Sequence, residues 1–572
     1  MSLHRRSVLG LLGVGAAGAG LPAVAQEAPS VRFAHGVASG DPRQDGVILW
    51  TRVTPADPAA RSVRVDWSVW VEGAASSTAS GTVQTGQERD FTVKVPVSGL
   101  EPGVEYRYVF TAGESTSPQG RTRTLPAGPT ADAVLAVASC QLYPGGLFNA
   151  WDAVSKLERL DAVVHLGDYI YEYGAEPGSY GMATGARLNR LPEPAHEIVS
   201  LADYRTRHAQ YKSDPDLQAA HARAPFICVW DDHEVTNDTW QAGAQNHQPE
   251  TEGEFSVRKA AALKAYFEWM PIREPENGLT PEAIYRSFDF GDLASLLMVE
   301  TRLLARQEGL DYVRDMPTVG EGRNAHPDLD GFRAKLNAPD RDLLGDSQRD
   351  WIRSTLTASR EAGRPWQVLG NQVVMARVQG PDITKMASSL EIAVLMARLP
   401  AEVRAEVRKS VELFKLGVPF NLDSWDGYPA GRERLYAAFA EAGVQPIVLA
   451  GDSHAFWVND LKDAGGRRAA VEFATSSISS PSPGDMVQGV PLGAALNAAN
   501  EEVLLCDQAA KGFVLLTLTP ERATGELHAV STIFEKPYES RVLKTFVVEK
   551  GADGMSAPVE VQGGVEPLRL AG

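Results

Sequence analysis

Four apolar runs in this chain end in side chains that can bind metal ions. Residues 134–140 end in the thiol of Cys140, and residues 161–168 end in Gly167-Asp168, with Tyr171 three positions on. Residues 225–234 end in Asp231-Asp232-His233-Glu234, and residues 446–454 end in Gly451-Asp452-Ser453-His454. Each places a thiolate, carboxylate, phenolate or imidazole where a buried strand meets a loop, which is how an α/β sheet gathers ligands at one edge. Four such endings with compatible chemistry predict a single polynuclear metal site.

Asp168, directly after a strand, can bridge two cations with its two oxygens. Tyr171 ordinarily titrates near ~10, so a phenolate at neutral pH needs strong local positive charge such as Fe³⁺. Taken alone, the pair fits a helix cap with a packed tyrosine equally well. Three acids around His233 concentrate charge that a protein otherwise avoids burying, and a bound cation accounts for it; an acidic helix start is the bland alternative. Asp452 and His454 stand two apart on a turn opened by Gly451, so in an extended segment they point the same way. Asn371, in Gly370-Asn371-Gln372 after the apolar run 366–369, offers an amide oxygen in a similar place.

The elements that must position these groups change character along the chain. From 31 to about 123 the pattern alternates apolar and polar residues between Gly and Pro turns, which predicts a β-sandwich without a ligand cluster. Residues 126–130 read as a linker. Beyond it, strands alternate with helices: strands at 134–139, 162–166, 226–230, 293–299, 366–369, 447–450, 471–474 and 513–518, and helices at 149–160 and 201–222. This predicts a layered α/β domain with the site at the strand ends. The polar stretches 174–197 and 241–253 read as loops on the rim of that site.

At 572 residues, two domains are expected. The net charge of −18 argues against non-specific binding to nucleic acid or anionic membranes, so an anionic substrate needs a local source of positive charge. Residues 1–25 carry a twin-arginine pattern at Arg5-Arg6, a short apolar core and Ala23-Val24-Ala25 as a cleavage site, predicting export through the twin-arginine machinery to the periplasm or beyond. The core is too short and Gly-rich for a membrane span, so no integral membrane protein is expected. Gly13-Val14-Gly15-Ala16-Ala17-Gly18 fits a dinucleotide fingerprint in letters only, since no strand precedes it. Three cysteines make no disulfide framework; Cys228 reads as a core residue and Cys140 as the one with chemistry.

Three stretches together resemble the PhoD-like alkaline phosphatase/phosphodiesterase family, a branch of the calcineurin-like metallophosphoesterases related to purple acid phosphatases. They are Asp168-Tyr169-Ile170-Tyr171-Glu172-Tyr173-Gly174, Trp230-Asp231-Asp232-His233-Glu234-Val235 and Gly451-Asp452-Ser453-His454, with support from 204–208, 425–429 and 471–473. The resemblance implies a metallophosphoesterase-type α/β sandwich over 131–572, preceded by an Fn3-like β-sandwich over 31–125. It implies Fe³⁺ held by Cys140 and Tyr171, with His454 beside them, and Ca²⁺ held by Asp232, Asn371 and Asp452, with Asp168 as the bridge. Oxygen ligands suit hard Ca²⁺, while thiolate and phenolate suit Fe³⁺. It further implies hydrolysis of phosphate mono- or diesters, with His233 facing the leaving group and Asp168 and Asp232 in the catalytic set. A non-catalytic calcium-binding protein is the alternative from another class, and Cys and Tyr among the ligands count against it. Serine and zinc hydrolase motifs are missing from the sequence.

Overall fold

The computed structural model describes residues 31–561 apart from 277, 400, 488, 552 and 553. The expected export segment, 1–25, lies outside the described residues. Two large sheets carry the chemistry-bearing strands. The first contains Ala133–Ala138, Ala162–His165 and Phe226–Cys228 as parallel neighbours, extended by the antiparallel strands Lys511–Leu518, Arg522–Val530 and Ser540–Gly551. The second contains Ala294–Met298, Trp366–Gly370, Ile447–Ala450 and Arg468–Ala474, also parallel to one another.

The inner strands are apolar on both faces because both faces are covered, the usual condition for parallel strands. Leu135, Val137 and Val163 of one sheet share a buried cluster with Val368, Ile447 and Phe473 of the other, so the sheets pack face to face. On the far side of the second sheet, Leu297, Leu369 and Val448 pack with Ile352 and Leu356 of the helix Gly345–Glu361 and Leu435 and Phe439 of the helix Pro429–Ala442. Each such fully buried aliphatic side chain contributes about 1.5–3 kcal/mol.

The N-terminal region forms two β layers. Ser62–Val71, Ala79–Gly86, Glu105–Ala112 and Gly120–Arg123 make one; Val37–Arg43, Gly46–Arg52 and Thr92–Ser98 make the other, around a core of Val47, Leu49, Val65, Tyr106 and Phe110. The second layer is also hydrogen-bonded to the first large sheet, through the pairing of Phe226 with Gly40. The segment expected to be a linker is pinned as well: Gly291 and Asp292 donate backbone hydrogen bonds to Pro126 and Gly128.

Local differences from the sequence expectation have local causes. The helix expected over 201–222 is two helices, Leu201–Lys212 and Pro215–Arg223. Pro215 cannot continue a helix but can start one, and Asp214 caps that start by accepting from the amides of Asp216 and Leu217. The rim stretches expected to be loops contain short helices, Met182–Leu188 and Pro249–Glu252. Among the described residues, no helix is long and apolar enough to cross a membrane.

Candidate metal centre

The C-terminal ends of the parallel strands from both sheets converge. The Cys140 amide donates to Gly167 O at 3.1 Å, the Gln141 amide to Asp168 O at 3.0 Å, and the Gly451 amide to Gln372 O at 2.7 Å. A bridge between Ser139 and Ser477 ties the two sheets together beside them. Cys140, Asp168, Asp452 and His454 all have left-handed backbones, with φ of 60°, 56°, 60° and 57°. For residues with a Cβ this conformation costs roughly 1–2 kcal/mol each, and such strain collects at functional sites. Gly167, at φ 106°, admits the close approach of the neighbouring strand end: a Cβ there would lie 2.3 Å from the Asp231 amide nitrogen.

Three overlapping groups of ligand atoms result, each within 4.8 Å: Cys140, Asp168 and His454; Asp168, Asp232 and His233; and Asp231, Asp232 and Asp452. Asp168 belongs to the first two and Asp232 to the last two, so the groups form one chain. Tyr171 adjoins the first, its hydroxyl donating to Asp168 Oδ2 at 2.7 Å and lying 3.3 Å from His454 Nε2. Asn371 is buried nearby on its strand end, but its amide is occupied within the protein: Oδ1 accepts from Trp425 Nε1 at 3.0 Å and Nδ2 donates to Val373 O.

The electrostatics of the centre are those of an anion-rich pocket. Burial pushes the Asp168 and Asp452 carboxyls well above the usual range, and neighbouring carboxylates add to it. Asp231 is raised to about 6, chiefly by burial. Asp232 is pulled down despite its burial, because Arg302 and His233 lie against it. Burial, followed by the Asp168 charge, raises both the Cys140 thiol and the Tyr171 phenol. Three buried carboxylate oxygens, Asp168 Oδ1, Asp231 Oδ2 and Asp232 Oδ1, have no hydrogen-bond partner. Orphaned buried acceptors of this kind are costly unless a cation binds them. The donor set is graded, with sulfur, phenol and imidazole at one end and carboxylates alone at the other. Both features fit bound metal cations.

Around the ligands stands a shell that the sequence reading did not assign. Arg302 is fully buried and pairs with Asp231 through Nε, with Asp423 Oδ2 at 2.6 Å and with Asp452 Oδ1 at 3.1 Å. Glu172 accepts from His233 Nδ1 at 2.7 Å, and His233 is held well above its ordinary pKa: burial lowers it, but Asp232, Glu172 and Asp168 together outweigh burial. Glu234, grouped by sequence with the acids that concentrate negative charge, instead accepts the backbone amides of Asp168 at 3.0 Å, Tyr169 at 2.5 Å and Asp231 at 2.8 Å. It organises two strand ends rather than facing a cation. Ser480 lies 2.7 Å from the Tyr171 hydroxyl, and the Tyr180 hydroxyl lies 3.0 Å from His454 Nδ1. Asp231 was visible as one of the acids in its motif, but only the geometry gives it a ligand position. Nothing local in the sequence marks Arg302, Asp423, Tyr180 or Ser480.

Comparison with known proteins gives a consistent result. The profile of the PhoD-like phosphatase family matches residues 135–527, and that of the PhoD-like phosphatase N-terminal domain matches 18–126. Alkaline phosphatase D of Bacillus subtilis (strain 168) is 33% identical over 560 residues, covering 94% of this chain and 84% of that protein. A solved structure of PhoD superposes with a TM-score of 0.72 at 30% identity, covering 93% of this chain and 94% of the other.

Proposed function

The chain belongs to the PhoD-like phosphatase family and is a phosphoric ester hydrolase; from this premise we propose an exported, metal-dependent phosphatase or phosphodiesterase whose centre uses iron and calcium. The observation that carries the metal dependence is the run of three ligand groups sharing Asp168 and Asp232, with their unpartnered buried oxygens.

In this reading Cys140, Tyr171 and His454 would hold the ferric ion, Asp232 and Asp452 would hold calcium, and Asp168 would serve both; Asn371, expected on the calcium side, has its amide engaged by Trp425 and Val373 instead. Asp231 joins the calcium side. When bound, the cations supply positive charge to the phosphoryl oxygens and acidify an attacking water. The remaining work belongs to the chain. The rigid strand ends fix the ligand oxygens, so positioning costs little at the moment of reaction. His233, oriented through Nδ1 by Glu172, has Nε2 left to face the leaving oxygen as its proton donor. Arg302 balances the acids left over on the calcium side.

The twin-arginine pattern at Arg5-Arg6 supports export, and a route that carries folded proteins suits one that acquires its metals first. On that basis we assign residues 1–25 to the signal, 31–125 to the β-sandwich and 131–572 to the catalytic part.

The test pairs elemental analysis of the natively exported protein with turnover of phosphate mono- and diesters by the wild type and Asp168→Ala. Iron and calcium should co-purify, and Asp168→Ala should lose turnover while remaining folded. A fully active enzyme free of iron, or an active Asp168→Ala, would refute the centre as drawn.

A further inference from the structure

The strand Arg468–Ala474 of the second sheet runs into Thr475-Ser476-Ser477-Ile478-Ser479-Ser480-Pro481-Ser482. So polar a run ordinarily lies in solvent, yet every residue in it except Pro481 is fully buried. Buried hydroxyls need partners. The partners found here lie around Cys140, Tyr171 and His454, the sulfur, phenol and imidazole end of the centre.

The segment touches all three. The Cys140 carbonyl accepts from the Ser480 hydroxyl at 2.8 Å, and from the amides of Ser479 and Ser480 at 3.4 and 3.3 Å. The Tyr171 hydroxyl lies 2.7 Å from Ser480 Oγ. His454 Nδ1 lies 2.7 Å from Pro481 O, and the Tyr180 hydroxyl donates to the same carbonyl. A carbonyl only accepts, so Nδ1 carries the ring proton and Nε2 keeps its lone pair. Nε2 is the nitrogen that faces the centre, 3.3 Å from the Tyr171 hydroxyl and 3.8 Å from Asp168 Oδ2. The imidazole is therefore held in the tautomer that ligates through Nε2.

Ser480 does more than brace. The Leu142 amide donates to its Oγ at 3.1 Å and fixes the oxygen beside Tyr171. Its one proton goes to the Cys140 carbonyl, which has two amide donors besides. The hydroxyl can turn away without leaving that carbonyl unpaired. Tyr171 donates its own proton to Asp168 Oδ2. As a phenolate ligand it has no proton left, and its oxygen gains from a donor.

Resting on the iron-side assignment above, we propose that Ser480 is a positioning residue of the metal centre, whose hydroxyl turns to donate to the Tyr171 phenolate. A hydrogen bond to a ligand atom draws charge from it and tunes the metal, an electronic effect that a purely mechanical brace lacks. Ser479 supplies the contrast. Its hydroxyl anchors the same segment by donating to Leu142 O at 2.8 Å, while its side chain bonds to none of the three residues.

The experiment titrates metal-free wild type, Ser480→Ala and Ser479→Ala with iron(III) citrate, with calcium present throughout, and records the visible spectrum of each loaded protein. Melting of the metal-free forms follows the fold. Ser480→Ala should bind iron about ten-fold more weakly. Its phenolate-to-iron band should move to longer wavelength, because a phenolate relieved of a hydrogen bond gives up its electrons more readily. Ser479→Ala should keep the wild-type band even where its melting temperature falls. An unmoved band in Ser480→Ala, whatever its affinity, or an equal shift in Ser479→Ala, overturns the proposal and leaves the iron-side reading standing. A wild type that takes up no iron, or takes it up without a phenolate band, removes that reading and the proposal with it.

Discussion

Arg302 reaches Asp452 across 150 residues of chain, with Nη2 3.1 Å from Asp452 Oδ1 and the guanidinium fully buried. The same group pairs with Asp231 and Asp423, so one buried cation compensates three carboxylates, Asp231 buried and Asp423 and Asp452 partly exposed. Removing one partner of such a network leaves charge buried without compensation and typically costs about 3–5 kcal/mol. Arg302→Met should therefore lower unfolding free energy by that order in chelator, and the deficit should shrink when calcium is restored. Denaturant titrations with and without calcium measure both quantities; a loss under about 1 kcal/mol in chelator would show that Arg302 is not the balancing charge.

Tyr171 donates to Asp168 Oδ2 at 2.7 Å, and burial raises its phenol well above the ordinary value. Only a strong cation turns such a phenol into a ligand at neutral pH. Tyr171→Phe should leave the fold intact, remove the visible phenolate-to-iron absorption and lower the iron retained after dialysis. An unchanged spectrum in the variant would take Tyr171 out of the ferric site.

Glu172 holds His233 at 2.7 Å and is one of the charges that raise its pKa. Glu172→Gln takes that carboxylate away, so the imidazolium should lose its proton at lower pH. An acid needed in its protonated form then fails earlier, and the alkaline limb of the kcat profile should move to lower pH by roughly one unit or more. A pH–rate profile over the two proteins measures this; a limb that stays in place would assign it to another group.

Lys212 is buried between the rings of Trp50 and Tyr169, at 4.5 and 5.1 Å, with His221 Nε2 at 3.2 Å. Burial lowers its pKa from 10.5 to about 7. Between these values the unfolded chain holds one proton more than the folded one, so stability gains up to about 1.4 kcal/mol per pH unit as pH rises. Below pH 7 both states are protonated and the folded state bears the full burial cost. Lys212→Met, similar in volume and uncharged, should be more stable than the wild type at pH 6, with the advantage shrinking towards pH 10. Denaturation at the two pH values checks it; a pH-independent difference would mean that folding does not lower the Lys212 pKa.

Much of the fold can be read from local pattern. Apolar runs with nothing to alternate against mark the doubly covered strands, and the run predicted at 447–450 is the strand Ile447–Ala450. The helix expected at 201–222 is divided at Asp214-Pro215, a cap and a proline that end one helix and start the next. Strand bonding across 40 and 226 was hidden, since pairing between distant segments leaves no periodic trace in either.

The sequence by itself determined the kinds of candidate ligand and their attachment to strand ends, because strand termini and residue chemistry are both local properties. Cys140, Asp168, Asp232 and Asp452 could be named from their motifs, and their convergence at one edge follows from the parallel order of the strands. Tertiary structure alone decided which acids face the centre and which brace it. Glu234 turns to backbone amides while its neighbour Asp231 turns to the centre, although both sit in one motif. It also decided the charge balance, because Arg302, Asp423 and Glu172 reach the ligands from separate segments of the chain. Burial and Coulomb interactions depend on distance in space, and no spacing along the chain encodes that distance.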